Sequence, residues 1–293
     1  MRDNSTIRDF FKVLNCLDLK DRGVYHFSGQ DMIVVDTING WLKRFASECQ
    51  NIFFFALRMV AALFSRPIYL RETMEQMYLI GVGSLFLIVL TGLVSGQGFA
   101  LAFSQELALF GAKDYLGRIM SLAIVRELGP SLAGLMIAAR VASGITAEIG
   151  AMKSSNQLDA LVAFGIDPFK KIAAPRLISL MVMVPALTII CDTVAILGGW
   201  MVATLIANVT STTYWANVRY KLTFGNMLMG FLKPVVFSLI IAFISCYKGF
   251  TSEGGTKGVG RATTNSVVLS SILILVFSFL ITKILGPVVR GYM

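Results

Sequence analysis

Met77–Phe103 reads MYLIGVGSLFLIVLTGLVSGQGFALAF, 27 consecutive residues without a charged side chain. A helix needs about 20 predominantly apolar residues to cross a bilayer's hydrocarbon core. This run exceeds that length, so it reads as a transmembrane span. Three more stretches repeat the pattern: Leu177–Ile206, Phe224–Tyr247 and Ala262–Leu285. A fifth, Ile119–Ile145, is interrupted by Arg126, Glu127 and Arg140, but its other positions are apolar or small. Gly129, Ala133, Gly134, Ala138 and Ala142 recur within it, and small side chains let a neighbouring helix come close inside a membrane. The expected fold class is an all-α integral membrane protein with five transmembrane helices.

Composition agrees. Of 293 residues, 56% are hydrophobic and 15% charged, against about 25% charged in a soluble domain. The net charge of +9 fits basic loops facing anionic lipid. Nucleic acid is not an expected partner, because no basic patch lies on a soluble fold. Lys and Arg counts set the orientation. Residues 1–75 hold ten, 140–176 five and 248–261 three, whereas 104–118 and 207–223 hold two each. The N-terminus is therefore expected in the cytoplasm and the C-terminus in the periplasm. Cys16, Cys49, Cys191 and Cys246 form no CxxC pair, and His26 is the sole histidine. No metal or other cofactor is expected.

Asn51–Leu70 precedes the first span. Phe53, Phe54, Phe55, Leu57, Val60, Leu63 and Phe64 are interleaved with Arg58 and Arg66, and Pro67 ends the run. This pattern suits a helix lying in the membrane interface. Residues 1–50 are mixed in character and form a cytoplasmic N-terminal extension, with a strand expected at Val24–Gly29 and a helix at Val34–Cys49. Residues 71–293 form the five-span domain.

The connection after the second span places Ile149, Met152, Leu158, Leu161 and Val162 at helical spacing, and Gly165 and Pro168 stop the pattern. A short amphipathic helix over 148–164 is expected, lying between the second and third spans. It reads equally as an ordinary surface helix or as a lever that docks on a soluble partner. Gly254–Gly260 looks like a phosphate loop but lacks the GxxxxGK[ST] order, and it reads as a flexible cytoplasmic loop.

An ordered set of motifs resembles the MlaE permease family, the membrane subunits of Mla/Mce-type phospholipid ABC transporters. The matching residues are Arg126-Glu127-Leu128-Gly129-Pro130, Ala139-Arg140, Thr146–Met152, Gln157–Leu161, Asp167-Pro168, Pro175-Arg176, Gly198-Gly199, Ser252 and Gly260–Thr264. The resemblance covers about residues 50–290. It implies a homodimer of five-span subunits with an interfacial elbow helix, in the bacterial inner membrane. It implies a separate ABC ATPase subunit, a periplasmic Mce-domain (MlaD-like) partner and a phospholipid cargo. Some relatives carry a STAS domain, so a STAS-domain protein is a further partner to test, and Val24–Gly29 with the following helix is similar to a fragment of one. By the same resemblance, Phe99, Leu107, Phe110, Arg126 and Glu127 fall where the family lines a lipid pocket. Glu106 stands where an apolar residue is expected. Glu148, Met152, Gln157, Asp159, Leu161 and Gly165 fall on the family's coupling helix.

The charges inside the spans can also be read without the family. An ionic side chain at the centre of a spanning helix costs about 2.5–3.5 kcal/mol on insertion scales, so it pairs or lines a cavity. Arg126 and Lys233 come to similar depth, about 10 and 14 Å from the periplasmic ends of their spans. Arg126 and Glu127 are about 100° apart around a helix, which predicts different partners. Asp192 is the expected counter-ion of Lys233 or Arg126. The cluster reads either as a phosphate site, with Lys233 in it, or as a salt-bridge network holding the helices together. Two other classes remain open: a secondary transporter with an intramembrane charge relay, and a membrane-embedded lipid enzyme. The scarcity of histidine argues against the enzyme, and the lack of an internal repeat against the transporter.

Overall fold

The computed structural model describes residues 47–48, 50–63 and 69–290. The chain divides into two compact units, Met1–Asn51 and Ile52–Met293. The strand expected at Val24–Gly29, and all of the Val34–Cys49 helix except Ser47 and Glu48, lie outside the described residues.

Among the described residues every element is helical. A short apolar helix, α1 (Gln50–Leu63), comes first. Five long helices follow: α2 (Leu70–Leu109), α3 (Lys113–Ser154), α5 (Phe169–Leu205), α7 (Phe224–Phe250) and α8 (Gly255–Arg290). Two short helices join them, α4 (Gln157–Ala163) between α3 and α5, and α6 (Ser211–Lys221) between α5 and α7. The five expected spans are thus present and longer than their apolar cores. The 40-residue α2 is about 60 Å long, twice a hydrocarbon core of about 30 Å, so its ends project beyond lipid. Phe86, Leu79, Phe279 and Ile284 are exposed, as a lipid-facing surface requires.

The tightest helix pair is α2 with α5. Small residues of α2, among them Gly92, Gly96 and Ala100, are buried, and they meet Cys191, Ala195 and Gly199 of α5 in that order. A Cβ at position 96 would lie 2.1 Å from the Ala195 carbonyl oxygen, so only glycine permits this approach. Lipid tails are as apolar as leucine, so this contact is held by packing rather than by water exclusion. Gly96→Val should therefore destabilise the chain by about 3 kcal/mol, the upper end of overpacking costs. Gly98→Ala is the control, because a Cβ there meets nothing within 4 Å. Denaturation in mixed micelles checks both.

α1 is anchored by Met59, which is fully buried in the core, and by the ring of Phe55. Phe55 lies 5.1 Å from Phe169, 5.6 Å from Tyr247 and 5.7 Å from Phe250, centroid to centroid. Phe53, Phe54 and Leu57 stay exposed, which gives α1 one face on the protein and one free for the interface. At the opposite end, Tyr214 of α6 is buried and donates a hydrogen bond to the Ile196 carbonyl at 3.0 Å. Burial pushes its phenol well above the usual value.

Two expectations need correction. Residues 148–164 are not one helix: α3 runs through Glu148 and Met152 to Ser154, and the chain breaks at Asn156, whose φ is +57°. Asparagine tolerates the left-handed region, so this single residue redirects the chain. Nor is Gly254–Gly260 a loop. Gly254 and Gly255 turn the chain with φ of +91° and +63°, and α8 begins at Gly255.

Candidate functional site

The intramembrane charges assemble around a defect in α3. Pro130 has no N–H, so the Arg126 carbonyl loses the donor it would have one turn on. The helix responds with a π turn, Ile124–Leu128, in which the Gly129 N–H bonds to the Ile124 carbonyl. Such turns recur at functional sites. Lys233 of α7 fills the gap. Its side chain is fully buried, and Nζ donates to the Arg126 carbonyl at 2.6 Å and to Glu127 Oε2 at 2.7 Å. Thr282 Oγ1 of α8 donates to Glu127 Oε1 at 2.8 Å. Three helices are thereby tied at one point.

Arg126 is the member with capacity to spare. Its Nε lies 4.0 Å from Glu127 Oε1, too long for a hydrogen bond. The guanidinium makes no hydrogen bond among the described residues. Two cations share one carboxylate here, which leaves an excess positive charge on a planar group built to bind oxyanions in pairs.

The expectation that Arg126 and Glu127 meet different partners is therefore corrected: both belong to one cluster. The long Arg126 side chain reaches to 4.0 Å of Glu127 Oε1 in spite of the separation around the helix. Asp192 is not the counter-ion of either cation. It faces Gly129, where a Cβ would lie 1.5 Å from Oδ1, and Oδ1 is buried without a hydrogen-bond partner. Lys233 is drawn instead to the carbonyl that Pro130 leaves open.

Of the expected pocket residues, Phe99 and Leu107 pack in the core cluster that contains Val125, beside Arg126. Phe99 also stacks on Phe103 at 6.4 Å. Phe110 caps the end of α2 and is 81% exposed. Glu106, one turn earlier, is exposed as well. Thr282 escaped the sequence reading, although a hydroxyl in the apolar run of α8 was its visible signal.

The second group of residues lies at the α4 end. Glu148 is not on the short helix but near the end of α3. Its Oε2 accepts a hydrogen bond from Arg176 Nη2 at 2.5 Å. Arg176 is 4% exposed and also donates from Nη1 to the Ile172 carbonyl at 3.0 Å. This pair closes the base of the connection between α3 and α5. A cavity of about 420 Å³ lies there, lined by Glu72, Glu148, Met152, Gln157, Leu161 and Arg176 among others. Four of the six expected coupling residues thus share one wall. Asp159 is exposed on α4, and Gly165 makes the turn after it with φ of +73°. Leu158 is buried, while Val162 and Phe164 are 60% and 80% exposed. α4 therefore has an inward apolar face and an outward one.

A family model described as Permease MlaE matches residues 73–284. A "probable ABC transporter permease protein" of Rickettsia typhi is 38% identical over 245 residues, covering 84% of this chain and 95% of that one. A similarly described protein of Pyropia yezoensis is 32% identical, covering 83% and 90% of the two chains. The intermembrane phospholipid transport system permease protein MlaE of Haemophilus influenzae is 34% identical over 212 residues, covering 72% and 81%.

Proposed function

This chain belongs to the MlaE permease family, and from that premise we propose that it is the membrane subunit of an ABC transporter that moves phospholipid between the inner membrane and a periplasmic Mce-domain partner. A separate ATPase supplies the energy, since the sequence holds no phosphate-loop signature. Two copies assemble, with the N-terminus and α4 in the cytoplasm and α6 toward the periplasm. α4 docks on the ATPase through Val162 and Phe164, and Asp159 and Gly165 position it. Lipid binds in the α6 half, its phosphate on Arg126 and its chains against Phe99, Leu107 and Phe110.

The observation that carries this reading is the Arg126–Glu127–Lys233 cluster. A purely structural network would use its donors internally. Here Lys233 is doubly bonded while the Arg126 guanidinium donates no hydrogen bond among the described residues. Arg126→Ala should lower co-purified phospholipid about tenfold or more, the equivalent of losing a charge-assisted contact of 1.5–3 kcal/mol. Lipid extraction and mass spectrometry of equal amounts of protein measure it. Wild-type lipid content in that variant would return the cluster to a structural role.

A further inference from the structure

Arg140 takes no part in that cluster. It lies in a second π turn of α3, Ala138–Ala142, 14 positions from Arg126, or about 21 Å along the helix. Its side chain is exposed, and its one hydrogen bond among the described residues runs from Nη1 to Ser84 Oγ of α2 at 2.9 Å. The guanidinium lies across Gly83: a Cβ there would be 2.6 Å from Nη2 and 2.8 Å from Nη1. Leu79, Val82 and Phe86 of α2 surround that position and are 56%, 58% and 76% exposed. A planar cation with most of its donors open is thus held against an apolar, lipid-facing surface.

Such a charge calls for a partner, and among the described residues no acid stands at this depth. α7 and the span portion of α8 carry no acid. Glu127 and Asp192 lie in the α6 half. Glu148 lies eight positions further toward α4, about 12 Å away, and is bonded to Arg176. Glu75 of α2 lies eight positions from Gly83, about 12 Å along the helix, and is paired with Arg71 at 3.3 Å; the remaining span acids, Glu72, Glu106 and Asp114, stand in terminal turns. The described residues of a second copy bring the same inventory, so they add no acid from the middle of a span.

We propose that Arg140, with Ser84 and Gly83, binds the phosphodiester of a glycerophospholipid from the leaflet on the α4 side. It forms a second phosphate station on the helix that carries Arg126. The guanidinium fork matches two phosphate oxygens, and Ser84 fixes its plane. Stations about 21 Å apart are closer together than the hydrocarbon thickness of about 30 Å, so each reaches its own leaflet's headgroups by a short inward displacement. This inference rests on the reading of the chain as a phospholipid permease, and it extends the lipid path to the other leaflet.

The test uses full-length chain in radiophosphate-labelled cells, with a photoreactive benzoylphenylalanine in place of Phe86. Wild type should yield a chain–phospholipid adduct. Arg140→Ala and Arg140→Gln should reduce it at least about fivefold, or roughly 1 kcal/mol. The glutamine variant keeps a donor for Ser84, which separates loss of charge from loss of fold. An adduct independent of Arg140, a chain–chain adduct in place of lipid, or a label released as inorganic phosphate would each overturn the proposal. The same probe at Phe99 with Arg126→Ala reads the first station. If Phe99 labelling depends on Arg126 and Phe86 labelling ignores Arg140, this inference fails while the proposed function stands. The reverse pattern retains the second station and removes the first.

Discussion

Lys233→Met is expected to destabilise the folded chain by about 2 kcal/mol or more, because the lysine is fully buried while the Glu127 carboxylate it leaves is 40% exposed and partly solvated. Lys233 is fully buried, and its loss takes a donor from two acceptors. One is the Arg126 carbonyl, bonded at 2.6 Å and already deprived of a backbone donor by Pro130. The other is Glu127, bonded at 2.7 Å and retaining only Thr282 as donor. Adding Glu127→Gln should recover part of the loss, because a neutral amide beside methionine leaves no unpaired charge. The two single variants and the double variant, unfolded in mixed micelles, form a double-mutant cycle whose coupling term reports the pair. A Lys233→Met effect below about 1 kcal/mol would place the pair among weak surface contacts and remove the physical account of the π turn.

Glu148→Gln and Asp159→Lys should separate folding from coupling. Both residues fall in the stretch that resembles the family's coupling helix, but the fold gives them different tasks. Glu148 holds Arg176 at 2.5 Å, and Arg176 is 4% exposed with its Nε already lacking a partner. Neutralising Glu148 leaves a buried cation unpaired, so a loss of about 3 kcal/mol or more is expected. Asp159 is exposed on α4, and a surface charge reversal away from structural contacts changes stability by about 0.5 kcal/mol or less. Asp159→Lys should instead leave the chain folded while ATP hydrolysis proceeds without lipid transfer. Melting temperature and a transport-to-hydrolysis ratio, measured on the same preparations, distinguish the two. Normal coupling in Asp159→Lys would sink the assignment of α4 as the lever.

The spans were legible because each carries an apolar run longer than a soluble helix needs, and even the interrupted run from Ile119 kept its small and apolar positions. Arg126, Glu127 and Lys233 were legible as a group from depth alone, since the connectivity of alternating spans places them at one level. Their bonding was not. It depends on Pro130 withdrawing an N–H, on the resulting π turn, and on a backbone carbonyl acting as the lysine's acceptor, none of which side-chain charge counting reveals. Asp192 was misassigned for the same reason: opposite charge suggested a pair, whereas helix packing turned it toward Gly129. The break at Asn156 was hidden because the apolar spacing continues across it. The role of Arg176 was hidden because its partner lies 28 positions away.

The most direct measurement is a gentle-detergent purification of the tagged chain at native expression, with mass spectrometry of the proteins and lipids that accompany it. The account predicts an ATPase with Walker motifs, an Mce-domain protein, and bound glycerophospholipid that is depleted in Arg126→Ala. A chain that emerges without an ATPase and with the same lipid content in both forms would contradict it.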